Sequence, residues 1–241
     1  MFARGFWLVL LLLPALRAGA GTAVHLDALP LVEVPAAPDA TGTSSDSFAV
    51  LISGDGGWAS LDRGIARNFA LRGVPVVGLD SLRYFWKERS PEQAAHDLAA
   101  IMEYYRRHWH RSAAHLVGYS FGADVLPFLV NRLPPEQAAE VRSVTLVAPS
   151  ELATFEIHVS DWLPGVTTHG LPVRPELARL KPAPLCIHGA GETDAPCAGL
   201  PTASSVQIGS GHHLGGDAAG IVERILQPDH ASACAGKEPC G

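Results

Sequence analysis

His115-Leu116-Val117-Gly118-Tyr119-Ser120-Phe121-Gly122-Ala123-Asp124-Val125-Leu126 is the stretch whose reading decides the fold. An apolar strand-like run enters it, a Gly-x-Ser-x-Gly pentapeptide turns it, and an apolar helical run leaves it. Three fixed positions at ordinary usages of about 7% meet by chance in a chain of 241 residues roughly once in twelve. The pentapeptide alone is therefore weak evidence. Its context carries the weight, because a nucleophile elbow is a strand-to-helix turn that forces the serine into a strained conformation and leaves no room for side chains at the flanking glycines. A tight βα turn without chemistry is the plainer alternative.

Outward from the elbow, short apolar runs bounded by turn residues alternate with helical patterns. Strands are expected at Phe48–Ser53, Val74–Leu79, Ala114–Gly118, Val144–Ala148, Leu185–His188 and Ser205–Ile208, each continuous enough to be buried on both faces. Helices are expected at about Leu61–Arg72, Pro91–His108, Phe121–Leu133 and Gly216–Leu226. The second opens on Ser90-Pro91-Glu92-Gln93, with Ser at the N-cap, Pro at N1 and Gln at N3. The alternation predicts an α/β fold with a doubly wound, mostly parallel sheet over about residues 48–228. A proline-containing stretch at about 150–184 breaks the rhythm and reads as a short insertion between two strands, where a lid or cap belongs.

A serine nucleophile needs a base, and the base needs an orienting acid; on this kind of sheet they follow in the order Ser, acid, His. Ser120 is the expected nucleophile. The loop after Leu185-Cys186-Ile187-His188-Gly189 carries Glu192 and Asp194, with Asp194 favoured as the acid and Glu192 the close alternative. Val206-Gln207-Ile208-Gly209-Ser210-Gly211 leads into His212, favoured as the base, and His213, expected to pack or hydrogen-bond nearby. The oxyanion hole calls for two backbone N–H groups. Phe121, after the nucleophile, supplies one, and Asp55 in Ser53-Gly54-Asp55-Gly56-Gly57-Trp58 supplies the other. Part of Asp80–Trp86, at a strand end, is expected to line the pocket, and Asp124, inside an apolar helix, needs a partner. No metal or cofactor is expected: His108 and His110 are two apart and diverge on a helix, and the cysteines lack C-x2-4-C spacing.

The ends of the chain set the compartment. Arg4 precedes a run of about eleven apolar residues and Ala18-Gly19-Ala20 follows, the pattern of a signal peptide over residues 1–20 and too short a run for a span of about 20. An uncleaved anchor is the alternative. An extended segment (21–47) comes next, and a cysteine-containing tail (229–241) closes the chain. Export permits disulfides, and Cys186, Cys197, Cys234 and Cys240 pair most economically as nearest neighbours, with a free buried thiol at Cys186 the alternative. The chain has 18 basic and 24 acidic residues, a net charge of −6; removing residues 1–20 takes away Arg4 and Arg17 and no acid, which makes it −8. Such a surface excludes nucleic acid as a bulk partner.

Ser53–Trp58, Asp80–Trp86, Gly118–Pro127 and Gly211-His212-His213 together resemble the bacterial VirJ/AcvB virulence-protein family, over roughly residues 48–226. The resemblance implies a periplasmic α/β-hydrolase with Ser120 as nucleophile, His212 as base and the Glu192/Asp194 loop as acid. Some members hydrolyse aminoacylated phosphatidylglycerol and others are linked to type IV secretion. The expected activity is therefore serine-esterase hydrolysis of a lipid-headgroup ester at a membrane surface, and the alternative is a binding or accessory role beside secretion-system proteins. Leu214 departs from the aromatic expected after the histidine pair, which bears on local pocket shape.

Overall fold

Strand β2 (Ser47–Ile52) shows why the sheet is covered on both sides. Alternation sends Phe48, Val50 and Ile52 into one apolar cluster and Ala49 and Leu51 into another, and all six residues of the strand are buried. The computed structural model describes residues 26–40, 46–158, 169–192 and 196–227. The expected signal peptide, Asp194, Cys234 and Cys240 lie outside these.

Seven strands form one sheet in the order β1-β3-β2-β4-β5-β8-β9. β1 (Leu31–Val34) pairs antiparallel with β3 (Val76–Leu79). β3, β2, β4 (Ala113–Tyr119), β5 (Val141–Val147), β8 (Leu185–Ala190) and β9 (Ser204–Ser210) run parallel. Helices α3 (Pro91–His108) and α4 (Phe121–Val130) feed the first cluster, while α1 (Ser60–Leu71) and α7 (Ala218–Leu226) feed the second. The chain moves outward from β2 to β3 and then returns to β4 on the other side. That reversal opens a crevice at the carboxyl ends of β2 and β4, where such sheets bind their ligands. Among the described residues no helix is long and apolar enough to cross a membrane.

The doubly wound α/β-hydrolase sheet is as expected, with three local differences. Ser205–Ile208 was expected to be buried on both faces, yet β9 is an edge strand with five of its seven residues exposed and the other two half-buried. Only Val206 and Ile208 pack on the core, because no strand covers its outer side. β5 begins at Val141 rather than Val144: exposed Arg142 and half-buried Ser143, whose hydroxyl lies 2.7 Å from His115 Nδ1, break the apolar run but not the strand. α4 stops at Val130 rather than Leu133, and a separate short helix α5 (Pro135–Glu140) leads straight into β5.

The insertion is built on a two-stranded antiparallel ribbon of β6 (Leu152–Ala153) and β7 (Leu171–Pro172), followed by α6 (Val173–Leu177). Its base is fixed to the body by two backbone bonds, Arg89 N–H to the Phe155 carbonyl (3.0 Å) and Ile157 N–H to the Phe85 carbonyl (2.9 Å). The Asn131 side-chain amide also donates to the Glu176 carbonyl at 2.9 Å. Cys186 and Cys197 form a disulfide.

Candidate active site

Ser120 sits between β4 and α4 with φ 51° and ψ −119°, a conformation a non-glycine residue adopts only when its surroundings compel it. Those surroundings are close. A Cβ on Gly118 would lie 2.4 Å from the Gly122 carbonyl oxygen, and one on Gly122 would lie 2.1 Å from that of Ile52. The two glycines let helix, elbow and neighbouring strand meet, and the turn is pinned by the Ser120 N–H donating to the Val147 carbonyl at 2.8 Å. The strain aims the Ser120 hydroxyl away from the sheet and into the crevice.

Ser120 Oγ lies 2.7 Å from His212 Nε2, and His212 Nδ1 lies 3.1 Å from Glu192 Oε1. Residues far apart in sequence thus form one chain of hydrogen bonds from hydroxyl to carboxylate. The imidazole is 42% exposed, open enough to reach a bound substrate. Glu192 follows the end of β8, and the Cys186–Cys197 bridge closes the loop that carries it. The favoured acid, Asp194, lies outside the described residues; its alternative, Glu192, is the carboxylate in contact with the imidazole. His213 makes a separate bond, its Nδ1 lying 2.6 Å from the Tyr119 hydroxyl.

Asp55 and Phe121, the expected oxyanion residues, line a single cavity of about 870 Å³ together with Ser120 and His212. Phe121 opens α4, where first-turn N–H groups have no intrahelical acceptor and the helix dipole favours negative charge. The Asp55 loop comes close enough that a Cβ on Gly54 would stand 3.5 Å from Ser120 Cβ. The outer wall is the insertion, through Leu152, Thr154, Glu156 and Ile157. Asp80–Trp86, by contrast, contributes nothing to this lining among the described residues. Tyr84 and Phe85 are core residues, Trp86 faces solvent, and Ser81 bonds to Ser53, tying the end of β3 to that of β2.

The cavity is acidic. Asp55, Asp124, Glu151, Glu156 and Glu192 line it, and no lysine or arginine does so among the described residues. Asp124 lies one helical turn beyond Ser120 and accepts a bond from the Ser150 N–H at 2.5 Å, which is the partner its burial requires. Burial pushes its carboxyl up to about 8, and the nearby Asp55 charge adds to the shift. His213 does hydrogen-bond nearby, but two features escaped the sequence: that its partner is Tyr119, and that Thr154, Glu156 and Ile157 contribute to the wall. Neither has a local motif, because both depend on segments that meet only in the fold.

The fold is that of the α/β-hydrolases. MenH from S. aureus superposes with a TM-score of 0.58 at 14% identity over 81% of this chain and 96% of that one. Est1E from Butyrivibrio proteoclasticus gives 0.58 at 12% identity over 83% and 95%, and the esterase domain of a Rhodothermus marinus protein gives 0.53 at 15% over 80% and 88%. At these identities the likeness is one of fold. The chain belongs to the bacterial virulence protein (VirJ) family, whose model matches residues 46–233. No curated protein sequence matches the chain.

Proposed function

We propose that this protein is a periplasmic serine hydrolase that cleaves a carboxylic ester, and that its substrate is the aminoacyl ester of aminoacylated phosphatidylglycerol. The observation that carries the reading is the continuous relay from Ser120 Oγ through His212 to Glu192. Ser120 Oγ attacks the ester carbonyl as His212 Nε2 takes its proton, and the Glu192 carboxylate orients and stabilises the imidazolium. The oxyanion of the tetrahedral intermediate meets the N–H groups of Phe121 and Asp55. His212 returns its proton to the departing glycerol oxygen. Water, activated by the same imidazole, then releases the amino acid from Ser120. Asp55, Glu151, Glu156 and Glu192 at the cavity wall support a cationic acyl group, since an α-ammonium beside the scissile carbonyl would enter an attractive field.

A fluorophosphonate probe should label the wild-type protein at Ser120, and Ser120→Ala should abolish both labelling and ester turnover. Well-folded wild-type protein that does not label would sink the reading. Alanyl and propionyl p-nitrophenyl esters differ only by the ammonium, so a preference for the alanyl ester tests the substrate class. Accumulation of aminoacyl-phosphatidylglycerol in a deletion strain tests the lipid. The family's description as virulence proteins favours one second reading, an accessory binding role in secretion. A Ser120→Ala strain that keeps wild-type behaviour where the full deletion does not would establish it in place of the first.

A further inference from the structure

Adjacent residues of the elbow grip adjacent residues of the histidine loop. Ser120 meets His212, and Tyr119, the last residue of β4, meets His213. We infer that the Tyr119–His213 hydrogen bond is a strut that positions His212 for its exchange with Ser120, which makes both residues positioning rather than catalytic groups; the inference rests on the hydrolase reading above.

The loop needs such a strut. Of the eight residues 209–216, Gly209, Gly211, Leu214, Gly215 and Gly216 have positive φ, so the segment has little backbone preference of its own to hold an imidazole in place. Its other restraints include bonds from the Gly211 N–H to the Ala190 carbonyl (3.0 Å), from the Leu214 N–H to the Gly211 carbonyl (2.9 Å) and from the Gly216 N–H to the His213 carbonyl (2.8 Å), and the fully buried Leu214 side chain. These hold the backbone of the histidine pair but not its rings, and apart from Ser120 the His212 ring has, among the described residues, only its 3.1 Å bond to Glu192. Tyr119 braces both rings, bonding one and packing against the other. Its side chain is buried, its centroid lies 5.9 Å from that of His212 and 6.3 Å from that of His213, and the two imidazoles lie 5.8 Å apart. Burial, with the charges of Asp62, Asp55 and Glu192 adding to it, pushes the Tyr119 phenol up to about 12. It therefore keeps its proton at neutral pH, and donates to His213 Nδ1 when that imidazole carries its own proton on Nε2. A His213 held in this way is occupied, which leaves His212 alone to face Ser120. Neither Tyr119 nor His213 lines the cavity, so the strut acts on the proton relay and not on substrate binding.

The test is a set of variants assayed for propionyl ester turnover and for the rate of fluorophosphonate labelling, with thermal unfolding as a control for folding. Tyr119→Phe keeps the ring and removes the hydroxyl; it should lower kcat and labelling rate by about 10- to 100-fold, the scale of a misplaced catalytic group, with KM within about twofold. His213→Leu should match it. His213→Asn, which keeps an acceptor near the position of Nδ1, should recover most of the loss. The double variant should be no slower than either single one, since each removes the same bond. Wild-type kcat in Tyr119→Phe, a loss expressed in KM alone, or losses that multiply in the double variant would each overturn the strut. Wild-type protein inert to both ester and probe would overturn the hydrolase reading and the inference with it.

Discussion

At the scale of single residues, the carboxylate that orients His212 is the sharpest question. Glu192 makes the contact at 3.1 Å, so Glu192→Gln should lower kcat by about 10⁴, the scale of losing the orienting acid in such relays. Asp194→Asn should cost far less, and the opposite order in steady-state kinetics would return the role to Asp194. The sequence narrowed the acid to two residues two positions apart but could not choose between them, because the choice depends on loop curvature and not on residue type. Asp124 poses a question of specificity. Asn at this position keeps an acceptor for the Ser150 N–H and replaces a carboxyl that is mostly protonated at neutral pH. Asp124→Asn should therefore leave KM for the alanyl and propionyl esters within about twofold of wild type at pH 7, and a rise for the alanyl ester alone would show that a carboxylate charge acts there after all. Equal rises for both esters would make Asp124 a brace for the 148–152 segment instead.

At the scale of elements, the loop after β8 combines a functional side chain with a covalent clamp. The Cys186–Cys197 bridge spans a sequence separation of 11 residues, and closing a loop of that size is worth about 3 kcal/mol against the unfolded chain. Cys197→Ser should accordingly lower the melting temperature by several degrees, and reductant should do the same to the wild type while leaving the variant unmoved. Ester turnover should also fall, because Glu192 lies within the clamped loop. The insertion was legible only as an interruption rich in proline. Its contribution to the cavity wall comes from backbone bonds between residues 85–89 and 155–157, pairings too distant in sequence for any local pattern to reveal.

At the scale of the whole molecule, buried titratable groups set the pH range. Burial, with Arg142 adding to it, lowers the His115 imidazole to about 4, so the folded state binds fewer protons there than the unfolded chain. Its contribution is complete above about 6.5 and is lost as pH falls from there towards 4. Asp62 and Asp124 act in the opposite sense. Burial raises them to about 6 and about 8, so the folded state holds extra protons and loses stability as pH rises from about 4 through those values. The two carboxyls outweigh the one imidazole, so the melting temperature should be highest at mildly acidic pH and fall towards pH 8. The melting temperature of Asp124→Asn relative to wild type should be higher at pH 9 than at pH 5, and a pH-independent difference would refute this assignment.

The sequence by itself determined the strand and helix order, the elbow at Ser120, and the order serine, acid, histidine. Those follow from periodicity and from chain geometry near the turn, which are local properties. Tertiary structure alone decided that Glu192 meets His212, that Tyr119 meets His213, that β9 is an exposed edge, and that five acidic side chains share one cavity. Each depends on residues separated by tens of positions and brought together by the switch in strand order, and distance in space is not written in local pattern.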